Sequence, residues 1–203
     1  SICFNNIINV KIMKISTIGL GNLGYPLSEF LSATGYKIKS YDKNYTLKNT
    51  LFEKHDIHSD SDLYQLINNG NDVEFYYDIS KTLYDTEVCF ITVPTPSKKD
   101  GSFDNSYILD VLDKISKNFN LVKKTFIIVI NSTISPNSID SVFIPFMSKN
   151  GLKNNKDYMF VYNPYFVALG EVTKNLKNPD LILLGSENKI ATNKFKKIYS
   201  KIL

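Results

Sequence analysis

The chain has 203 residues, of which 43% are hydrophobic and 13% aromatic, with 24 basic and 20 acidic residues. This length and apolar content exclude a disordered chain and allow one large domain with a substantial core. The net charge of +4 comes from scattered lysines, so the sequence indicates no nucleic-acid partner. No segment approaches the run of about 18 apolar residues that spans a membrane, and no signal peptide opens the chain, so we expect a cytoplasmic protein.

The chain carries no pattern typical of a disulfide framework or a metal site. Cys3 and Cys89 are its only cysteines, and Cys89 falls in the apolar run 88–93, where it is typical of a strand core. The two histidines, His55 and His58, have no neighbouring cluster of cysteines or histidines. We therefore expect no bound metal.

Apolar runs alternate with segments of helical periodicity along most of the chain. The predicted strands are 14–18, 37–41, 73–76, 88–93, 125–130, 158–162 and 181–184. The predicted helical segments are 25–34, 62–67, 106–118, 137–149 and 187–203. Strands that are apolar throughout indicate burial on both faces, so the pattern predicts an α/β fold of the Rossmann-like, doubly wound type, with a mostly parallel sheet and helices on both faces.

We divide the chain into three parts. Residues 1–12 form an extension before Met13, residues 13–186 form the α/β domain, and residues 187–203 form an amphipathic helix. In that helix one apolar face is predicted to carry Ile190, Lys194, Ile198 and Ile202, with Phe195 and Tyr199 beside it.

The first strand runs directly into Gly19-Leu20-Gly21-Asn22-Leu23-Gly24, which is a G-x-G-x-x-G sequence. The first glycine allows a tight turn, the second allows the backbone to approach a phosphate, and the third allows the helix to pack closely on the sheet. The N-terminus of the following helix directs unpaired N–H groups at the anion. The loop therefore predicts a pyrophosphate site.

Asp42 follows the second predicted strand, close to the spacing of about 20 residues at which an acid binds the ribose of a dinucleotide. Its carboxylate would accept hydrogen bonds from the ribose hydroxyls and repel a 2′-phosphate. We therefore predict NAD as the cofactor in preference to NADP, although Lys43 lies beside this carboxylate.

Three turns follow apolar strands, at the edge of the sheet where doubly wound folds bind their ligands. They are Val93-Pro94-Thr95-Pro96, Asn131-Ser132-Thr133-Ile134-Ser135-Pro136 and Asn163-Pro164-Tyr165-Phe166-Val167-Ala168-Leu169-Gly170. We expect all three to border one crevice.

In this order, the motifs resemble the N-terminal NAD domain of the UDP-glucose/GDP-mannose dehydrogenase family, which carries G-x-G-x-x-G, V-x-T-P, S-T-V/I-x-P and N-P-E-F segments. The resemblance runs from Met13 to about Ser186. It implies an enzyme that oxidises the C6 alcohol of a nucleotide sugar to a carboxylate and reduces two NAD molecules. The aldehyde intermediate is held on a cysteine as a thiohemiacetal, oxidised to a thioester and hydrolysed.

The same resemblance implies roles for individual residues. Those implied to bind NAD are Gly19, Leu20, Gly21, Asn22, Leu23, Gly24, Asp42, Val93, Pro94, Thr95 and Thr133. The last four would line its nicotinamide side, with Thr133 also in a supporting catalytic role. The residues implied to lie against the nucleotide sugar are Phe166, Val167, Ala168 and Leu169.

The chain also departs from the family pattern. The third residue of N-P-E-F is a Glu tied to the acid/base steps, and here it is Tyr165, which is neutral near pH 7 and cannot act as a carboxylate base. Asn131 replaces a Lys often found before S-T, and Leu169 stands where many members have a second Glu. Neither Cys3 nor Cys89 matches the catalytic cysteine, which the family places in a C-terminal domain.

Two functions therefore remain open. In one, the chain is the NAD-binding half of a nucleotide-sugar dehydrogenase, active when a Cys-bearing C-terminal domain complements it, either as a separate chain or as part of a longer protein that pairs as a homodimer. In the other, it is a catalytically inactive paralogue that binds NAD or associates with an active dehydrogenase. In the first case the C-terminal helix would begin the family's central helix.

Overall fold

The computed structural model describes residues 13–44, 73–166 and 171–200. Its strands are β1 (Lys14–Ile18), β2 (Lys37–Tyr41), β3 (Val73–Tyr76), β4 (Val88–Ile91), β5 (Phe126–Ile130) and β6 (Tyr158–Tyr162). Its α-helices are α1 (Gly24–Ala33), α2 (Ile79–Leu83), α3 (Ser106–Lys117), α4 (Ile144–Lys149), α5 (Val172–Lys177) and α6 (Lys189–Tyr199). A short 3₁₀ helix spans Phe119–Leu121, and a π-helical segment spans Ile139–Phe143.

The six strands form one sheet in the order β3-β2-β1-β4-β5-β6, and every neighbouring pair is parallel. This is the strand order of the dinucleotide-binding α/β fold, and the direction of winding reverses between β1 and β4. The prediction of a doubly wound sheet is confirmed. A crevice therefore opens at the carboxyl ends of β1 and β4, where the glycine loop leaves the sheet.

Both faces of the sheet are covered by helices, as the wholly apolar strands predicted. In β5, Ile127 and Val129 pack into a core shared with α1, α5 and α6, whereas Phe126, Ile128 and Ile130 pack into a core shared with α2, α3 and α4. All five side chains are fully buried. Each contributes on the order of 2 kcal/mol of hydrophobic free energy to the folded state.

Three buried hydroxyl groups join α1 to the first two strands. The Thr17 Oγ1 atom in β1 lies 2.7 Å from the Oγ atoms of both Ser28 in α1 and Ser40 in β2. Ser28 also donates to the carbonyl oxygen of Gly24, at 2.7 Å. Because buried hydroxyls are costly unless they are hydrogen-bonded, these mutual bonds fix the first turn of α1 against the strands that lead to the glycine loop and to Asp42.

The predicted strand at 181–184 does not form. In this part of the chain the pairing with β6 is limited to Gly185, the residue after the predicted strand, which forms two backbone hydrogen bonds of 2.7 and 2.8 Å with Tyr162. Ile182 and Leu184 pack against the core beneath α1, while Leu181 and Leu183 are exposed. The apolar alternation of this segment thus reflects an extended chain lying on the core, and not a paired strand.

The predicted helix at 137–149 is also irregular. Its first part is the π-helical segment, which gives way to α4 at Ile144, with Pro145 in the first turn of α4. A proline inside a continuous α-helix would lack a donor and clash with the carbonyl group four residues earlier. The wider π-helical turns before Pro145 remove this conflict.

The amphipathic helix forms as α6, and its buried face includes Phe195, Ile198 and Tyr199 as predicted but not Ile190. Ala191, Phe195, Ile198 and Tyr199 are buried in the core beneath the sheet. Ile190 is 57% exposed, so its placement on the apolar face was wrong. The helix begins at Lys189, capped by the Asn188 side chain, and its buried residues follow the spacing of four, seven and eight residues from Ala191, which leaves Ile190 off that face.

Several predictions lie outside the described residues. They concern the extension 1–12 with Cys3, the helical segment 62–67, the histidines His55 and His58, and Ile202. Across the parts of the chain that the structure does describe, no helix combines the length and apolar character needed to cross a membrane.

We predict that Asp85→Asn lowers stability at neutral pH by roughly 0.5–1 kcal/mol. The Asp85 carboxylate pairs with the ammonium group of Lys123 and with that of Lys14, and these bonds lower its pKa to about 2. Its φ is 62°, a conformation that asparagine also tolerates.

Because the pKa is lower in the folded state, this stabilisation is complete above about pH 4 and is lost as the pH falls towards 2. Urea unfolding at pH 7 and at several acidic pH values would measure it. A difference between the two proteins that stays constant down to pH 2 would contradict the assignment.

Candidate cofactor site

A cleft of about 630 Å³ opens at the carboxyl ends of β1, β2 and β4. It is lined by Gly19, Leu20, Gly21, Asn22, Tyr41, Asp42, Lys43, Asn44, Thr92, Val93, Pro94, Tyr107, Asp110, Val111 and Lys114. Seven of the residues predicted to bind NAD belong to this lining: Gly19, Leu20, Gly21, Asn22, Asp42, Val93 and Pro94. The structure therefore brings the glycine loop, the acid after β2 and the turn after β4 into one space.

The three glycines of the loop are constrained in different ways. At Gly24 a Cβ atom would lie 1.8 Å from the carbonyl oxygen of Gly19 and 2.3 Å from Thr92 Oγ1. At Gly19 the φ angle is +94°, which favours glycine. At Gly21, in contrast, a Cβ atom would meet nothing within 4 Å. Gly19 and Gly24 are thus required by the protein's own packing, while Gly21 borders space into which a pyrophosphate group fits.

The Asp42 carboxylate is held in place by two backbone donors. Its Oδ2 atom accepts a hydrogen bond from the Leu20 N–H at 2.7 Å, and its Oδ1 atom accepts one from the Asn44 N–H at 2.8 Å. Each oxygen retains a lone pair for a further donor. The carboxylate is therefore oriented at the cleft and able to accept bonds from ribose hydroxyls, so the residues present fit a dinucleotide.

Helix α3 forms the opposite wall of the cleft, which the sequence analysis missed. Tyr107, Asp110, Val111 and Lys114 line the cleft. Their spacing of three, four and seven residues places them on one side of the helix, and this was the signal available in the sequence. The Lys43 ammonium lies 4.6 Å from the centre of the Tyr107 ring, so the wall and the end of β2 are in contact across the cleft.

The turns after β4 and β5 are tied to each other and to the glycine loop. Thr92 Oγ1 donates to the Gly19 carbonyl oxygen at 2.5 Å, and Ser132 Oγ donates to the Val93 carbonyl oxygen at 2.7 Å. These bonds bring the turn with Thr133 against the turn with Thr95.

Four predicted cofactor residues lie outside the lining of this cleft. Thr95 is half-buried and Thr133 is exposed, while Leu23 and Gly24 lie in the loop and helix start behind the cleft.

On the predicted sugar side, the side chain of Tyr165 is turned into the core. Its hydroxyl group is hydrogen-bonded to that of Tyr199 in α6, and burial raises its pKa well above the usual value of a tyrosine. It therefore stays protonated and cannot act as a base. Phe166 is 62% exposed, and Val167, Ala168 and Leu169 lie outside the described residues.

The Cys89 thiol is not a catalytic nucleophile. It is fully buried in β4, and burial raises its pKa to about 12, so it remains a neutral thiol. No group of three or more histidine, cysteine or acidic side chains that could hold a metal ion occurs within the described ranges.

We predict that Gly24→Ala impairs stability, whereas Gly21→Ala impairs NAD binding, so the two variants form a matched pair. Gly24→Ala should lower stability by at least about 3 kcal/mol, because its Cβ collides with backbone that cannot move independently. Gly21→Ala should leave stability within about 1 kcal/mol but weaken NAD binding at least about tenfold, because its methyl group occupies the space proposed for the pyrophosphate.

Thermal unfolding and calorimetric titration with NAD would test both variants. Unchanged NAD affinity in folded Gly21→Ala would mean that the pyrophosphate does not approach this loop.

Residues 13–203 match the family model for the NAD binding domain of the UDP-glucose/GDP-mannose dehydrogenase family. Over 191 residues the chain is 30% identical to the UDP-glucose 6-dehydrogenase of Rickettsia bellii, an alignment that covers 92% of this chain and 42% of that protein. It is 27% identical to the GDP-mannose 6-dehydrogenase of Pseudomonas aeruginosa, covering 94% and 44% respectively.

Solved structures show the same relationship. A ternary complex of GDP-mannose dehydrogenase from Pseudomonas aeruginosa superposes with a TM-score of 0.78 at 27% identity, over 93% of this chain and 44% of that one. A UDP-glucose dehydrogenase from Pyrobaculum islandicum shares the fold with a TM-score of 0.78 at 20% identity, over 97% and 46%. The chain thus spans less than half the length of these relatives.

The family match extends over the glycine loop, the cleft and all six strands of the sheet. The chain therefore belongs to the UDP-glucose/GDP-mannose dehydrogenase family and carries its NAD-binding domain.

Proposed function

We propose that this chain supplies the NAD-binding half of a nucleotide-sugar 6-dehydrogenase that oxidises the C6 alcohol of a UDP-hexose to a carboxylate. The observation that carries the proposal is the geometry around Gly21 and Asp42. The loop leaves space for a pyrophosphate, and an oriented carboxylate stands at the ribose end of the same cleft. NAD bound there supplies the hydride acceptor, and we expect the reaction to take place in the cytoplasm.

We assign separate roles in NAD binding to residues of the cleft and of the neighbouring turns. Asp42 would accept hydrogen bonds from the ribose and disfavour a 2′-phosphate, while the first turn of α1 would hold the pyrophosphate with its N–H groups. Val93, Pro94, Thr95 and Thr133 would line the nicotinamide side, since their turns lie together at the ends of β4 and β5. The four residues 166–169 would then lie against the sugar.

The second oxidation needs a thiol that the described residues do not offer, because Cys89 is buried and neutral. The relatives are more than twice as long as the matched region. We therefore propose that the cysteine-bearing domain comes from a continuation of the chain or from a separate chain. The division into 1–12, 13–186 and 187–203, with the last part leading into a central helix, remains our proposal for the domain organisation.

One observation favours the alternative, a catalytically inactive paralogue that binds NAD or associates with an active dehydrogenase. Tyr165 stands where the family pattern has a carboxylate, and its hydroxyl group bonds to Tyr199 in the core. The side chain therefore offers no base to the crevice. In that case NAD binding would persist without oxidation of a sugar.

Calorimetric titration with NAD, NADP and UDP-glucose tests the cofactor assignment. We expect the chain to bind NAD in preference to NADP, and Asp42→Ala to weaken NAD binding at least about tenfold, because the bonds to the ribose hydroxyls are lost. Asp113→Ala, in the same helix α3 that forms the opposite wall but outside the lining of the cleft, serves as the matched control and should change NAD affinity less than about threefold. Absence of NAD binding by the wild-type chain would overturn the proposal.

A chimera distinguishes the two functions. Residues 13–200 would replace the corresponding segment of the Rickettsia bellii UDP-glucose 6-dehydrogenase, and NADH formation from UDP-glucose would be followed by absorbance. Activity of this chimera supports the dehydrogenase half. An inactive chimera that still binds NAD, and that gains activity when Asn131→Lys and Tyr165→Glu are introduced together, would support the inactive paralogue.

A further inference from the structure

A buried chain of hydrogen bonds links the carboxyl ends of β5 and β6 to helix α6. The Nδ2 atom of Asn131 donates to the Asn163 carbonyl oxygen at 2.6 Å and lies 3.2 Å from Asn163 Oδ1. The Tyr199 hydroxyl donates to the same Oδ1 atom at 2.9 Å, and Tyr165 bonds to Tyr199. Asn131, Asn163 and Tyr199 are all at most 6% exposed. These three side chains form a structural unit shielded from water, and the partly buried Tyr165 extends it.

The donors and acceptors in this unit have one consistent assignment. Tyr199 has a single hydroxyl proton and gives it to Asn163, so Tyr165 must be the donor in the bond between the two tyrosines. Asn163 Nδ2 donates to the Leu183 carbonyl oxygen at 2.8 Å, which leaves Asn163 Oδ1 as the acceptor for Tyr199 and Asn131. A rotation of the Asn163 amide would exchange donor and acceptor and break these bonds. The Leu183 carbonyl oxygen, which can only accept, therefore sets the orientation of the Asn163 amide, and the Tyr199 hydroxyl is the donor that ties Asn163 Oδ1 to α6.

The unit continues into the turns after β4 and β5, of which the turn after β4 contributes Val93 and Pro94 to the cleft. The residue after Asn131 is Ser132, whose Oγ atom donates to the Val93 carbonyl oxygen at 2.7 Å. The Asn163 N–H donates to the Ile130 carbonyl oxygen at 2.9 Å. The carboxyl ends of β4, β5 and β6 are therefore joined by hydrogen bonds, and α6 adds the bond from Tyr199 to Asn163.

We propose that Tyr199 is a positioning residue for the nicotinamide end of the cofactor site. Its hydroxyl group ties Asn163 Oδ1 to α6, and Asn163 accepts from Asn131, the residue two positions before Thr133 in the turn that Ser132 joins to Val93. This inference rests on the proposed function in one respect, namely that the nicotinamide lies against these turns. The adenosine end, at Asp42 and Tyr107, lies across the cleft and makes none of these bonds among the described residues.

Removal of the Tyr199 hydroxyl has a defined consequence. Asn163 Oδ1 would keep only its 3.2 Å contact with Asn131, and the Tyr165 hydroxyl would lose its acceptor. Because these polar groups are buried, the amides and the turn would shift to recover hydrogen bonds. The shift would displace the nicotinamide end and leave the ribose and pyrophosphate contacts unchanged.

The test compares Tyr199→Phe with Tyr36→Phe, by calorimetric titration with NAD and with ADP-ribose, which lacks the nicotinamide. Tyr36 is also buried, and its hydroxyl donates to the Lys197 carbonyl oxygen in the same helix, so it is a matched control away from the crevice. We expect Tyr199→Phe to weaken NAD binding at least about fivefold but ADP-ribose binding less than about twofold. Tyr36→Phe should change neither affinity by more than about twofold.

A purely structural role for Tyr199 would lower the unfolding temperature without this selective loss, so all titrations are made well below the unfolding temperatures. Equal effects on the two ligands, or no effect on either, would overturn the inference. If Tyr199→Phe does not fold, Asn131→Ala breaks the same unit at its other end and should show the same selectivity for NAD over ADP-ribose. A wild-type chain that binds neither ligand would instead refute the proposed function.

Discussion

The close approach of α1 to the end of β1 is the constraint on which the site depends. No side chain fits at Gly24, because a Cβ atom there would lie 1.8 Å from the Gly19 carbonyl oxygen. Thr92 Oγ1 donates to that same carbonyl, and Ser28 donates to the Gly24 carbonyl. The glycine loop is therefore enclosed by β4 on one side and by the hydroxyl groups beneath α1 on the other. This arrangement points the first turn of α1 at the cleft, so that the helix can hold an anion without a charged side chain.

Much of this arrangement could be predicted from the sequence, because it depends on local signals. Four strands begin and end where the apolar runs predict, and the glycine spacing together with Asp42 locates the cleft. Less local features were missed or wrong. The stripe from Tyr107 to Lys114 has helical spacing but carries no motif, and the segment 181–184 has strand-like alternation that instead covers the core. In both cases the structural role of the segment depends on the part of the fold it packs against, and a single sequence does not specify that contact.

Side-chain direction was the least predictable property of the site. The resemblance places Tyr165 where the family has a Glu tied to the acid/base steps, yet its hydroxyl bonds to a residue of α6 that lies 34 positions further along the chain. The direction follows from a buried acceptor, Tyr199, which shares the buried face of α6 with Ala191 and Phe195 through the spacing of four and eight residues. A contact across 34 residues depends on how α6 packs on the core, and a local motif does not contain that information.

The two departures from the family pattern at Asn131 and Tyr165 are connected by this geometry. In the family pattern these positions often hold a Lys and a Glu, whereas here both side chains are neutral and belong to the same buried unit through Asn163 and Tyr199. A single charge introduced at Asn131, which is 3% exposed, would be buried without a partner of opposite sign in this unit, which is strongly destabilising. Replacement of both charges by neutral hydrogen-bonding groups avoids that penalty and keeps the strand ends joined. Neutral side chains at both positions are therefore compatible with one hydrogen-bonded unit, and the cleft forms although the carboxylate of the family pattern is absent.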